Sequence, residues 1–344
     1  MTSATSFPDS SYRGRLAPSP TGYLHLGHAR TFWVAAQRAR EAGGKLVMRM
    51  EDLDPDRSRT IYAEAAYQDL RWLGIDWQEG PDKGGLHGPY LQSQRMPFYV
   101  DAWRKLFAGG WIYPCRCSRK DLEAAARAPH ESAAGPALDD EPIYPGTCRP
   151  SAGNEEINSL TGSTKNVFES SGVVAGHDFS HAANAAKSTW ALAPEGGFLA
   201  PELLFQQSPN GINWRFRVPD GEAIEFVDQN LGPQRFIAGC DFSDFVIWRR
   251  DGVPGYQLAC VVDDAAMRIT EVVRGADLLK STARQILLNR ALGFDNPLWF
   301  HCNLVTDANG QRLAKRHDAL SLRTLHQQGI SAESILSADT PAQR

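Results

Sequence analysis

The run from Arg15 to Arg30, RLAPSPTGYLHLGHAR, narrows the folds open to this chain more than any other stretch. A strand pattern starts near Tyr12 and stops at two prolines and two glycines. It gives way to a helix predicted from about Gly27 to Ala42, with Phe32, Trp33 and Ala36 on one face. Gly43 and Gly44 end that helix. KLVMRM, residues 45–50, reads as a buried strand, and EDLDPDRSRT is a turn feeding a second amphipathic helix from about Thr60 to Leu73. Strand, helix, strand, helix predicts a parallel α/β sheet.

The same alternation returns between residues 245 and 293, so the sheet is expected in two halves with a module inserted between them. The expected layout is a mobile tail at 1–11, the first half at 12–110, the inserted module at 111–244, the second half at 245–300 and a loop with a short helical end at 301–344. Within the module, WRFRVPDGEAIEFVD (214–228) alternates like a hairpin around PDG. Residues 151–211, rich in Ala, Gly, Ser and Asn and poor in periodicity, are expected to be partly disordered.

The 344 residues are 42% hydrophobic, enough for a buried core. Neither a signal-peptide pattern nor a run of about 18 apolar residues occurs, so the expectation is a cytoplasmic protein with no membrane partner and, by default, a monomer. A formal charge of -4 offers no molecule-wide attraction for RNA. Any RNA contact needs a local basic cluster such as Arg116, Arg119 and Lys120, which serves solubility equally well.

In a parallel sheet, a Gly/Pro turn entering a helix N-terminus faces phosphates with unpaired N–H groups and the positive end of the dipole. PTGYLHLGHAR has that placement: Gly27 allows close approach of a flat base or ribose, and His25 and His28 can donate to a phosphoryl group. Neither GxGxxG nor GxxxxGK[ST] occurs, which sets aside the usual dinucleotide fold and the P-loop. Read alone, HLGH also suits a helix cap with two surface histidines. Far downstream, DANGQRLAKRHDAL (307–320) places Arg312, Lys315 and Arg316 in a loop where a cation can reach a polyphosphate; the plain alternative is a solvated basic face.

Cys115 and Cys117 stand two apart in PCRCSRKDL, and Cys148 follows in YPGTCR. Two close thiols and a third about thirty residues on suit tetrahedral zinc, which needs a fourth ligand. Cys240, Cys260 and Cys302 are scattered and read as structural. His177 and His181, four apart in GHDFSH, are a poorer metal pair because their surroundings are not helical in pattern.

HLGH resembles the HIGH motif and RLAKR the KMSKS motif of class I aminoacyl-tRNA synthetases, and RLAPSPTGYLHLGHAR with RMEDLDPDRS is similar to the glutamyl subgroup. The resemblance covers about residues 12–148 and 214–325. It implies a class I synthetase-type, Rossmann-like parallel α/β sheet split by a zinc-bearing α+β module, and ATP-dependent activation of L-glutamate as an adenylate. It further implies that Arg15, Leu16, Ala17, Pro18 and Ser19 receive the amino acid, with Arg15 on a carboxylate. Glu51 would accept the α-ammonium, and Tyr256 and Arg274 would complete the pocket, the arginine as second cation for a dicarboxylate.

On the same resemblance His25, Gly27, His28 and Arg312 hold ATP with its Mg2+, and Lys315 steadies the departing pyrophosphate; His25, His28 and Lys315 form the catalytic set. Zinc-bearing members carry Cys-x-Cys followed by Tyr-x-x-x-Cys. That implies Tyr144 as the fourth ligand, beside Cys115, Cys117 and Cys148, of one structural zinc.

About 29 residues follow Lys315, too few for the anticodon-binding part of a discriminating glutamyl-tRNA synthetase. The chain thus resembles the glutamyl-queuosine tRNA(Asp) synthetase family, which activates glutamate without tRNA and transfers it to queuosine at the anticodon wobble position of tRNA(Asp). The resemblance implies that the catalytic groove itself receives the anticodon arm. Ala314 replaces the serine of the KMSKS motif and predicts weaker ATP use at most. Other readings stand beside this one: a glutamyl-tRNA synthetase-like enzyme charging another acceptor, a nucleotidyltransferase that does not act on RNA, and a non-catalytic paralogue that binds RNA. Retention of His25, His28, Glu51, Arg274 and Lys315 argues against the last.

Overall fold

The computed structural model describes residues 12–118, 121, 143–150, 209–304 and 321–337. Apart from Pro150 they all belong to one unit, 1–149 with 209–344. The expectations for the tail at 1–11, most of 151–211, His177 and His181, Arg119 and Lys120, and Arg312, Ala314, Lys315 and Arg316 lie outside the described residues.

β1 (Arg13–Leu16) is buried along its length and pairs in parallel with β2 (Lys45–Met48), Arg13 opposite Lys45 and Leu16 opposite Met48. Between them α1 (Leu26–Glu41) buries Phe32 and four small residues, Ala29, Ala35, Ala36 and Ala39, which share a core with Leu16, Leu46 and Met48. The return into β2 needs glycine twice. Gly43 has φ +59°, and a Cβ on Gly44 would collide with the carbonyl oxygen of Tyr12. α2 (Thr60–Trp72) buries Ala65, Ala66 and Leu70; α3 (Met96–Ala108), with Pro97 in its first turn, buries Tyr99, Ala102, Trp103 and Leu106.

β3 (Ile112–Cys115), β4 (Asn213–Phe216) and β7 (Phe245–Trp248) form an antiparallel sheet in the order β3-β4-β7. β5 (Ala223–Asp228), β6 (Gly232–Ile237), β8 (Glu271–Gly275) and β9 (Leu298–Cys302) form another in the order β6-β5-β9-β8, parallel except for β6. α4 (Tyr256–Ala266) links β7 to β8, and α5 (Leu279–Leu292) links β8 to β9. α6 (Leu322–Gln327) and α7 (Ala332–Ser337) follow. No described helix is long and apolar enough to cross a membrane.

The hairpin expected at 214–228 does not form. β4 pairs with β3 and β7 while β5 pairs with β6 and β9; between them the buried Asp244 carboxylate takes the N–H of Val218 at 2.8 Å, and the chain turns at Pro219, whose carbonyl accepts from Glu222 N–H. The hairpin comes one step later, from β5 to β6, around a turn in which Asp228 Oδ1 accepts from the N–H groups of Asn230 and Leu231.

Nor do the parallel strands make one continuous ladder. β1 and β8 meet at Thr270, whose N–H donates to the carbonyl of Arg13 at 2.9 Å. Beyond that point Arg13 N–H turns to the Thr270 hydroxyl, and the Arg15 guanidinium donates to the carbonyl of Val273. Side chains thus occupy the partners that a continuing ladder would use.

Buried ion pairs tie the strands to their neighbours. Glu271, at the start of β8, accepts from Arg38 Nε and Nη2 at 2.7 and 2.6 Å and from the Tyr12 hydroxyl at 2.7 Å. Arg13 donates to both oxygens of Glu79, at 2.7 and 3.1 Å, and Tyr90 donates to the same carboxylate. Those hydrogen bonds, Arg13's first, hold the Glu79 carboxyl down at about 2. These pairs gather at the amino ends of β1 and β8, which leaves the carboxyl ends, where ligands bind in parallel sheets, to other residues.

Candidate active site

The turn after β1 runs beside the segment after β2. Arg49 N–H donates to the carbonyl of Leu16, and Glu51 N–H donates to that of Pro18, which brings Glu51 against the turn. Leu16 is fully buried in the apolar core, so its share in the turn is its backbone; Ala17 and Pro18 follow it, and Ser19 is exposed. The turn ends at His25, which caps α1. Its Nδ1 accepts from Gly27 N–H at 3.1 Å, while His28 Nδ1 accepts from His25 N–H at 3.3 Å. In neutral rings this puts both protons on Nε2. The rings lie 3.8 Å apart, and a Cβ on Gly27 would stand 3.1 Å from His25 Cε1, so glycine lets the histidine fold back over the helix start. HLGH is therefore a helix cap as well as a candidate phosphate site. Ser321 forms a bridge with His25, and Leu322 N–H donates to the carbonyl of Leu24.

Arg15, Glu51, Tyr256 and Arg274 come together although they span most of the chain. Tyr256, the first residue of α4, is 41% exposed and interacts electrostatically with Glu51, Arg15 and Arg274. Arg15 is 5% exposed; its Nη1 donates to Val273 O at 2.8 Å, and its Nε lies 3.6 Å from Asp264 Oδ1. Glu51 Oε1 accepts from Arg49 Nη2 at 3.0 Å.

Arg274 is 4% exposed and held from three sides: Nε donates to His301 Nε2 at 3.1 Å, Nη1 to Gln285 Oε1 at 2.9 Å and Nη2 to Thr282 Oγ1 at 2.5 Å. All three partners are neutral, and among the described residues no carboxylate reaches this guanidinium. Burial, with the like charge of Arg15 adding to it, lowers its pKa from the usual arginine value and outweighs the opposite pull of Tyr256, Cys260 and the more distant carboxylate of Asp264. A buried cation without a carboxylate is costly unless an anion arrives.

Several residues of this site escaped the sequence reading. Arg49, fully buried, donates to Asp264 Oδ1 at 2.5 Å as well as to Glu51, so Asp264 and Arg49 link Arg15 to Glu51. Asp263 beside it accepts from Arg95 Nε, Gln92 Nε2 and the Tyr99 hydroxyl. Cys260, read as structural, points its Sγ at Glu51 Oε1 across 3.6 Å. One signal for it was present: Tyr256 and Cys260 are four apart, on the same face of α4.

A second cluster lies at the end of β3. The Sγ atoms of Cys115, Cys117 and Cys148 all lie within 4.8 Å of one another, Cys117 and Cys148 at 3.6 Å, and none is in a disulfide. The Tyr144 hydroxyl stands 3.6 Å from Cys115 Sγ and 3.8 Å from Cys117 Sγ. A tetrahedron of zinc–sulfur bonds of about 2.3 Å has edges of about 3.8 Å, so the donor set fits that ion. Arg215 supplies compensating charge, donating to Cys115 Sγ at 3.3 Å with its guanidinium 3.9 Å over the Tyr144 ring. Without metal, burial and then the Cys148 hydrogen bond push Cys117 up to about 11. Burial acts the same way on Cys148, but hydrogen bonds from Arg116 N–H and from the Tyr144 hydroxyl outweigh it and bring that thiol to about 7. The exposed Arg116 lies between the first two cysteines.

A catalytic-domain family model, tRNA synthetases class I (E and Q), matches residues 11–157 and 205–338, and the chain belongs to this family of ligases. Within it the similarity narrows. A glutamyl-Q tRNA(Asp) synthetase of Symbiobacterium thermophilum is 46% identical over 94% of this chain and 84% of that one, and one from Nitratidesulfovibrio vulgaris is 43% identical over 94% and 83%. At that likeness over nearly its whole length, the chain falls with the glutamyl-Q tRNA(Asp) synthetases. Among solved structures, a glutamate tRNA ligase from Elizabethkingia meningosepticum in complex with its amino acid is similar at a TM-score of 0.64 and 25% identity, covering 90% of this chain and 53% of that one.

Proposed function

We propose that this ligase activates L-glutamate with ATP, without RNA, and passes it from the adenylate to queuosine in the anticodon of tRNA(Asp). The observation that carries the reading is Arg274, a buried guanidinium hydrogen-bonded, among the described residues, by neutral partners alone and facing the same pocket as Arg15 and Glu51. Glutamate has two carboxylates and one ammonium. The pocket offers two arginines and, in Glu51, one carboxylate next to the turn.

On this reading Arg15 and Arg274 bind the two carboxylates, Glu51 takes the α-ammonium, and Tyr256 covers the pocket mouth. An α-carboxylate oxygen then bonds to the α-phosphorus of ATP as the bond to pyrophosphate breaks, and the acyl group later passes to a hydroxyl of queuosine with loss of AMP. His25 and His28 serve this step through Nε2–H, since each Nδ1 is engaged by a backbone N–H. Mg2+ accompanies the ATP. The Ser321–His25 bridge supports a role for Arg312 and Lys315, because it ties the chain six residues past Lys315 to the HLGH turn. The names of the relatives support tRNA(Asp) as acceptor. Cys115, Cys117, Tyr144 and Cys148 are assigned to one structural zinc, which would cross-link β3 to the 143–150 segment.

The test is glutamate-dependent exchange of pyrophosphate into ATP with no RNA added, followed by labelling of tRNA(Asp) with and without queuosine. Exchange with glutamate and labelling only of the queuosine-bearing RNA are expected. Absence of exchange rejects the activation reading, and equal labelling of tRNA(Glu) rejects the acceptor.

A further inference from the structure

Arg274 owes its position to residues far from the substrate pocket in the chain. His301, the last residue but one of β9, is fully buried; its Nδ1 lies 2.6 Å from Oδ2 of Asp228, itself 2% exposed at the end of β5. The same carboxylate accepts from His301 N–H at 3.1 and 3.2 Å and from the N–H groups of Asn230 and Leu231. So many donors keep Asp228 ionised despite its burial, and its pKa is lowered accordingly.

The rest follows from donor and acceptor counts. An ionised carboxylate only accepts, so His301 must place a proton on Nδ1. Arg274 only donates, so His301 must keep a lone pair on Nε2 toward Arg274 Nε. The imidazole is therefore neutral and locked in one tautomer, a state favoured by its burial and the nearby arginine. A carboxylate in direct contact with Arg274 would anchor it equally well, but it would also neutralise the charge that a substrate anion needs. An imidazole placed between them separates the two functions: the neutral ring makes the contact, and the negative charge stays one ring further away.

We infer that the Asp228–His301 pair is a positioning device for Arg274, pinning its Nε edge without neutralising it and so setting the selectivity of the pocket for a substrate with a second carboxylate. Thr282, 3.1 Å from His301 Nε2 and bonded to Arg274 Nη2, completes the same edge. The inference rests on the reading of Arg274 as a receptor for glutamate.

The test compares His301→Leu and His301→Gln in the full chain by pyrophosphate exchange, with the KM for glutamate, the KM for ATP and kcat measured separately and glutamine tried as an alternative substrate. His301→Leu removes the acceptor; His301→Gln restores one. For His301→Leu we expect the glutamate KM to rise at least about tenfold and the preference for glutamate over glutamine to fall, with kcat and the ATP KM within about twofold. His301→Gln should recover the glutamate KM to within about threefold of the parent.

A parallel rise in both KM values, an unchanged glutamate KM in His301→Leu, or failure of His301→Gln to recover would each overturn the inference. Asp228 is not a useful target because it also caps the β5–β6 turn. If His301→Leu does not fold, Thr282→Val decides, with the same rise confined to glutamate expected. A parent enzyme inert toward glutamate rejects the function itself, whereas an active parent with insensitive variants rejects only this role for His301.

Discussion

Arg274→Lys keeps the charge at the centre of the pocket and removes the geometry. Three of the five guanidinium N–H groups go to His301, Gln285 and Thr282, which leaves two, the number a carboxylate takes in a bidentate pair. A lysine ammonium has three N–H groups in all, and the same three acceptors can claim every one of them. Two charge-assisted hydrogen bonds to the substrate are then lost, a cost of about 3–6 kcal/mol. Because the long-range attraction survives, the lower end applies, which corresponds to roughly a hundredfold fall in kcat/KM for glutamate. Pyrophosphate exchange at varied glutamate measures it, with ATP varied separately and the melting temperature as a check on folding. A folded Arg274→Lys enzyme whose kcat/KM for glutamate stays within about fivefold of the parent would refute the reasoning.

Four further outcomes are expected. Cys148→Ser should lower zinc content well below one ion per chain, as read by metal analysis of the purified protein; a parent that carries no zinc contradicts the assignment. Glu79→Gln should cost about 3 kcal/mol at neutral pH. Because the folded pKa of Glu79 lies below its ordinary 4.5, that contribution is complete above pH 4.5 and lost as pH falls toward 2, so the gap to the parent in denaturant titrations should close over that window. Asp69 carries the opposite sign. Burial raises its carboxyl to about 6, so Asp69→Asn should stabilise the fold above pH 6, by at most about 3 kcal/mol, with the gain gone below pH 4; a loss of stability at pH 8 would argue against this. Gly44→Ala should destabilise by about 2–4 kcal/mol through collision with Tyr12, and an unchanged melting temperature would show that the turn can shift.

The parts legible in the sequence are those whose signals are local. The HLGH turn announces a helix start because its capping atoms lie within three residues of each other, and the Cys-x-Cys pair lies next to its partners once β3 ends. The supports of the pocket carry no such mark. Arg49 reaches Asp264 across 215 positions and His301 reaches Asp228 across 73, and a single Arg or His in a strand pattern looks like any other half-buried residue. The pairing of 214–228 is hidden for a related reason: alternation reports that two segments are strands and says nothing about which sheet each joins. The partners that settle it, β3 and β7 for one strand and β6 and β9 for the other, lie elsewhere in the chain.

Sequence by itself determined the α/β class and the caps and turns around α1, since these follow from backbone preferences and short motifs, whereas Arg15, Glu51, Tyr256 and Arg274 were joined into one proposed pocket only by resemblance to a family. Only the tertiary structure decided how that pocket is charged. Whether a buried arginine is neutralised or left to await an anion depends on whether a carboxylate or a neutral imidazole meets its Nε, and that is set by which strand lies next to β8. Coulomb energy depends on distance in space, and the chain order of Asp228, Arg274 and His301 does not reveal that distance.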